Sequence, residues 1–396
     1  MEMKFKINKI LFELYLFFSL LGGVLRNVIG VWEQRYGTYS FISKGRLGTF
    51  FIMLSIITLF LLIIRCYIKY GKKVSKNLKI LNIIIIIYYI IWTFISLINN
   101  SIQSVFFEGI STSLIIFPLV FILGYDFKIF NLLEKKLPFL CLVICCAFYF
   151  AVFSFWKQYG LQWPMNASYK GIFSYWITTM WLMSFIYIND KSKIKFIYSM
   201  LFLLNIGAFI TQSRAWVLQT LILLFIIFIT SKKNNRFFKI ILGILFVLIV
   251  IVIISYIFPN ITGNLFNRGL EDTRSGQYVV FFLQYSWKDL IFGAGLGATY
   301  EYLGNRFYPY FDNQFMFIIF HYGVMPVLYW LIIYFSLLKK ERKIMEDEII
   351  VAAKFVGFFV FLAYSGISTY YQIEMGYSSV LIMILFGNAI RRKNLI

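Results

Sequence analysis

Charge is what this sequence has least of, and its scarcity rules out a water-soluble fold. Asp, Glu, Lys and Arg make up 14% of the 396 residues, while 61% are hydrophobic. A soluble domain carries about 25% charge and about 45–50% apolar residues, so this chain has too few polar side chains to cover a surface in water. Metal-binding residues are sparse as well. There is one histidine, His321, and there are four cysteines. Cys141, Cys145 and Cys146 share one apolar run, Cys66 ends another, and no Cys-x-x-Cys pair exists. That pattern excludes a ligated cluster or a disulfide framework and leaves the thiols as small buried apolar groups. Alternation is missing too. Ile80–Ile98 and Leu221–Ile229 are continuously apolar, whereas a membrane β-barrel is built from ~10-residue alternating segments.

What remains is a polytopic, all-α membrane protein. Apolar runs of roughly 20 residues recur along the chain and give about twelve transmembrane helices. Lys4, Lys6 and Lys9 precede the first run, Ile10–Leu25, and no small-x-small cleavage site follows it, so it reads as a retained helix. Further spans are expected at Thr49–Ile64, Ile80–Ile98, Ser104–Gly124, Pro138–Trp156 and Ile172–Ile188. Ile194–Thr230 is too long for one span and is polar at Thr211-Gln212-Ser213-Arg214, so it splits there into two helices joined by a tight turn. Ile240–Phe258, Asn313–Leu338, Ile349–Tyr370 and Met375–Ala389 complete the set. Residues 1–396 form one membrane domain, with 259–312 as its one long outward-facing loop.

Basic residues outnumber acidic ones 38 to 17, for a net charge of +21. Nucleic-acid binding would need a basic patch on a soluble face. Here the lysines sit in short loops between apolar runs, which is how topology is set. Arg65–Lys79, Lys128–Lys136, Lys191–Lys195, Lys232–Lys239, Lys339–Lys343 and Arg391–Lys393 all fall on one side with the N-terminus. Both termini are therefore expected in the cytoplasm, and Arg214 and the long loop outside.

Outward arginines run against that rule, which singles out Arg214, Arg268 and Arg274. A planar, permanent cation suits phosphate or diphosphate. The bland readings are a snorkelling interfacial side chain for Arg214 and local pairs with Glu271 and Asp272 for the other two. The run Gly293-Ala294-Gly295-Leu296-Gly297 follows a short helix rather than a strand, so it fails as a nucleotide fingerprint and reads as a turn leading to the next element. Asp312 and Asn313 open a helix. Asp312 is either its N-cap or a carboxylate able to accept a proton. His321 falls on the opposite helix face from Asp312 and reads as a packing residue.

Taken together, the chain resembles the O-antigen ligase and polymerase superfamily of bacterial envelope polysaccharide assembly. The matching pieces are Thr211-Gln212-Ser213-Arg214 at a tight turn, Arg274 followed by Trp287 and the 290–297 glycine run, and Asp312-Asn313-Gln314-Phe315 with Gly323 eleven residues after Asp312. Ligases of that superfamily usually carry His-Asn where this chain has Asp312-Asn313, so it is most like an O-antigen or capsular repeat-unit polymerase. The resemblance implies a C-type glycosyltransferase-like fold in the bacterial cytoplasmic membrane, acting without metal or other cofactor. It implies as partners polyprenyl-diphosphate-linked oligosaccharide repeat units, membrane lipids and a chain-length regulator protein. Catalysis would fall to Asp312, Arg214 and Arg274, and substrate binding to Arg214, Arg268, Arg274, Asn313 and Gly295. The alternatives are a ligase of the same superfamily, or a lipid-linked oligosaccharide flippase or other transporter.

Overall fold

The computed structural model describes residues 2–36, 46–99, 119–159, 166–211, 213–230, 273–295, 298–302, 304–308, 311, 313–339, 347–363 and 377–395, with 248, 252 and 256. They are mostly helical: α1 (Glu2–Tyr36), α2 (Arg46–Tyr70), α3 (Lys76–Asn99), α4 (Phe127–Tyr159), α5 (Asn166–Ile186), α6 (Ile194–Ile210), α7 (Arg214–Thr230), α8 (Thr273–Gln284), α9 (Trp287–Phe292), α10 (Gln314–Tyr322), α11 (Met325–Leu338), α12 (Glu348–Leu362) and α13 (Tyr377–Leu395). The all-α expectation fits these residues, to which a small antiparallel hairpin, β1 (Tyr300–Tyr302) with β2 (Asn305–Tyr308), is added. The expected span at Ile240–Phe258 lies almost wholly outside the described residues.

Among the described residues, four helical stretches are long and apolar enough to cross a membrane: Ile7–Leu25, Leu47–Lys73, Lys76–Ile98 and Phe127–Phe153. Several helices outrun their apolar cores. α1 continues through Tyr36, where a loop is expected from Arg26, because no proline interrupts the polar stretch after the apolar run. α4 begins at Phe127, so Lys128, Lys135 and Lys136 lie on a helix rather than in a loop. Apolar α6 and α7 have 17 residues each, about 25 Å of helix.

The described residues form two compact units, with α1, α2 and α4 each contributing to both. The second unit includes α5, α6 and α7. Trp176, Trp181 and Trp216 are fully buried, and Trp216 stacks on Phe173 with ring centroids 4.7 Å apart. Gly207 of α6 lets Phe148, Phe173 and Trp176 close over it.

The first unit is built around α13, buried without a break from Tyr377 to Ala389. This helix crosses a 3₁₀ segment, Phe121–Tyr125, where a membrane span ending at Gly124 is expected. Gly124 and Gly387 leave no room for a Cβ at the crossing, since each faces the other segment's backbone. Asn388 Nδ2 donates to Gly124 O at 2.9 Å. The basic run Arg391-Arg392-Lys393 is part of α13, not a tail beyond it. Arg391 donates to Tyr125 O, Arg392 pairs with Asp347 at 2.7 Å, and Lys393 donates to Ser336 O at 2.7 Å, on the last turn of α11. Carbonyls that end a helix lack intrahelical donors, so residues that read as topological markers also close helix ends.

The expected single span Asn313–Leu338 is broken in two. Gly323 takes φ +80° between α10 and α11, and Pro326 stands in the first turn of α11. A left-handed glycine followed by a proline is a strong helix stop and restart.

Candidate functional site

The α6–α7 turn is the first candidate. α6 closes with Thr211, whose Oγ1 donates to Ala208 O at 2.7 Å and whose N–H donates to Gly207 O at 3.0 Å. The Ser213 carbonyl accepts from Trp216 N and Val217 N at 3.1 and 3.0 Å, which starts α7 one residue later. Both Thr211 and Ser213 are buried. Arg214, the first residue of α7, is exposed and forms no ion pair among the described residues. A cation at a helix N-terminus is placed against the helix dipole. Its position does not stabilise α7. Instead the guanidinium and the positive end of the α7 dipole offer positive charge in one place, which favours an anion.

The second candidate lies in the first unit, where the glycine run meets the α10–α11 break. Ser286 and Asp289 start α9 with a reciprocal capping box. α9 then delivers Gly293 against Gly323 and the His321 carbonyl, with no space for a side chain on Gly293. Ala294 N donates to Phe320 O at 2.7 Å and Val324 N to Ile291 O at 3.2 Å. His321 Nδ1 lies 3.1 Å from Gly295 O. A carbonyl only accepts, so Nδ1 carries the proton. His321 is buried between Phe317 and Phe320, and packing is its role here, now with a partner assigned. The described part of the glycine run, 293–295, is a docked crossover, where the sequence suggested a simple turn. Above it, Phe281, Tyr285, Tyr300, Phe311 and Phe320 form one aromatic cluster at 4.9–6.0 Å between many of their rings.

Asn313, not Asp312, caps α10: its Oδ1 accepts from Met316 N at 3.2 Å. The residue after it was missed by the sequence reading. Gln314 is 6% exposed, and its amide nitrogen has no hydrogen-bond partner among the described residues. A buried donor without an acceptor is costly, and its position beside Asp312-Asn313 was the available signal. Tyr88 was also missed. Its hydroxyl donates to Tyr322 O at 2.5 Å and lies 3.3 Å from Phe292 O.

Of the other expected site residues, Gly295 is brought against α10 through His321, and Arg274 stands in the first turn of α8. Arg268 and Asp312 lie outside the described residues. Comparison with known proteins identifies no matching family model and no matching curated protein.

Proposed function

We propose that the chain is a surface-polysaccharide polymerase of the bacterial cytoplasmic membrane. It would transfer a growing glycan from polyprenyl diphosphate to a lipid-linked repeat unit on the membrane's outer face. The observation that carries this reading is Arg214, an exposed guanidinium without an ion-pair partner among the described residues, set on a helix N-terminus at a tight turn between two apolar helices. That arrangement suits a diphosphate at the membrane surface.

In the proposed reaction an acceptor sugar hydroxyl attacks the anomeric carbon of the growing chain. The new C–O bond forms as the bond to diphosphate breaks, and the electron pair leaves with the diphosphate oxygen. Arg214 offsets the charge that develops there, a role that the sequence resemblance extends to Arg274 and Arg268. The hydroxyl proton passes to the Asp312 carboxylate. Asn313 already caps α10, which leaves Asp312 unneeded for that task and supports a chemical role. Gln314, a buried donor two residues on, is suited to hold an oxygen of the acceptor.

A second reading, a flippase for lipid-linked oligosaccharides, is favoured by one feature. The helix broken at Gly323 is of the kind on which transporters build their binding sites. Gel analysis of surface polysaccharide in a deletion strain tests both. Single repeat units on the lipid anchor support the polymerase. Long unattached chains would indicate the related ligase, and absence of surface repeat units the flippase.

A further inference from the structure

We infer that α9 and the glycine crossover form a re-entrant element that dips into the bilayer to about mid-depth, with its exposed apolar face against lipid acyl chains.

The depth comes from α3. Its 24 residues make about 36 Å of helix, close to the thickness of a bilayer's hydrocarbon core. Tyr88 stands at its middle, 12 residues from Lys76 and 11 from Asn99. The Tyr88 hydroxyl holds Tyr322 O and lies beside Phe292 O, and the Trp92 ring packs on Tyr322 at 4.8 Å. Nearer the Lys76 end, Tyr329 donates to Asn82 Oδ1 at 2.8 Å. α11 therefore starts level with the middle of α3 and runs antiparallel to it. The break at Gly323 lies at that middle level, and so do residues 291–294, which are hydrogen-bonded to it.

Backbone outside a helix is tolerated at that depth only when its polar groups are satisfied by protein or by enclosed water. Here protein satisfies them. Ile291 O accepts from Val324 N, Ala294 N donates to Phe320 O, Gly323 N donates to Ile319 O, and Gly295 O accepts from His321. A loop in water would need no buried histidine or tyrosine for this purpose.

The surface of the element agrees. Trp287, Ile291 and Phe292 are 76, 49 and 66% exposed, and Leu283 at the end of α8 is 81% exposed. The patch continues onto α3, where exposed Ile84 and Ile91 flank Tyr88 at i−4 and i+3 on the same face. Lys288 and Asp289 sit on α9 toward the surface. Asp289 is turned onto Ser286 in the capping box, and the long stem of Lys288 lets its ammonium snorkel.

Spin labels test this in the full-length protein reconstituted into phosphatidylethanolamine–phosphatidylglycerol liposomes. The exposed native cysteine is removed by Cys146→Ser. Single labels are placed by Phe292→Cys and Trp287→Cys, with Ile87→Cys on α3 as the lipid reference and Lys191→Cys in the α5–α6 turn as the aqueous one. Power saturation with oxygen and with a nickel chelate reads the depth of each. The label at 292 is expected within about one helical turn (~5 Å) of the depth at 87, with oxygen access high and nickel access low. Should Phe292→Cys fold poorly, the label at 287 decides: it is expected up to about one and a half helical turns (~8 Å) from the depth at 87, still with oxygen access high and nickel access low. A value closer to the Lys191 reference than to the Ile87 reference overturns the inference.

Discussion

Two apolar runs in this chain are interrupted, and they are interrupted differently. Between α6 and α7 the break is polar. Thr211 and Ser213 satisfy their own neighbourhood through local hydrogen bonds, and the chain reverses on itself. At Gly323, after His321 and Tyr322, distant segments complete the break: Tyr88 from α3, Ile291 from the last turn of α9 and Ala294 just past it. A break written in local side chains stands alone. A break written in one glycine depends on tertiary partners and fails with any of them.

The sharpest way to break the second kind is to fill the glycine. Gly323→Ala adds a Cβ that meets the Tyr88 hydroxyl and the Ile291 carbonyl, at a φ of +80°. The backbone term alone costs roughly 1–3 kcal/mol, and the clash adds to it. Monodisperse protein in detergent, read by size-exclusion chromatography, is expected to be lost. Gly295→Ala is the contrast: it meets a backbone penalty at φ +102°, but nothing among the described residues lies within 4 Å of a Cβ there, so it is expected to leave more folded protein than Gly323→Ala.

Chemistry should separate from folding next to that same break. Asp312→Asn leaves the Asn313 cap untouched, so membrane abundance is expected to stay near wild type. Polymerisation should fall by about 10²–10⁴-fold, the usual reach of a general base. Wild-type chain lengths at wild-type rate would remove Asp312 from the reaction.

At the polar break, Arg214→Ala is expected to lower polymer formation by about 10²–10³-fold while α7 stays folded, because a cation at a helix N-terminus contributes no helix stability. Arg214→Lys should rescue poorly, since lysine keeps the charge and loses the fork. Full polymer from Arg214→Ala would return this residue to a snorkelling role.

Tyr88→Phe probes how much the glycine break leans on α3. It removes the donor to Tyr322 O and leaves a carbonyl without that partner, a loss of about 1–3 kcal/mol. Thermal unfolding in detergent should register it. An unchanged midpoint would show that water reaches the crossover.

The smallest expected effect concerns a purely local turn, residues 187–193. Hydrogen bonds from the Ser192 hydroxyl and backbone hold the Asp190 carboxyl below the usual carboxylate range. A lowered folded value means the turn is held above the ordinary carboxylate pKa of about 3.9 and released as pH falls through the lower, folded value. Hydrogen exchange at the Ser192 amide is expected to lose protection only in that acid range. Loss beginning near neutral pH would contradict the assignment.

This contrast also sets how much of the molecule was legible in advance. Helices α2, α3 and α5 follow their apolar runs, and the α6–α7 turn follows its polar residues, because both signals are local. The Gly323 break and the 3₁₀ segment under α13 were not legible. In each case an apolar sequence consistent with a continuous span is diverted by backbone-to-backbone contact with residues far away in the chain. The candidate site divides the same way. Arg214 and the Asp312-Asn313 pair stand out by residue type, whereas Gln314 and Tyr88 acquire meaning only from burial and partners. Which residue caps α10 was open in the sequence, since Asp and Asn are both good caps and only geometry decides between them.

The enclosure of α13 has a consequence in time. This helix fills the middle of its unit, yet every segment it touches, from the 3₁₀ turn at Phe121–Tyr125 to α12, leaves the ribosome before it. Until α13 arrives, those neighbours must wait in the membrane around an unfilled slot, with Gly124 O, Tyr125 O and Asp347 lacking the donors that Asn388, Arg391 and Arg392 bring. α13 therefore enters this unit as a keystone, and nascent chains halted before Tyr377 should be natural clients of membrane quality-control proteases.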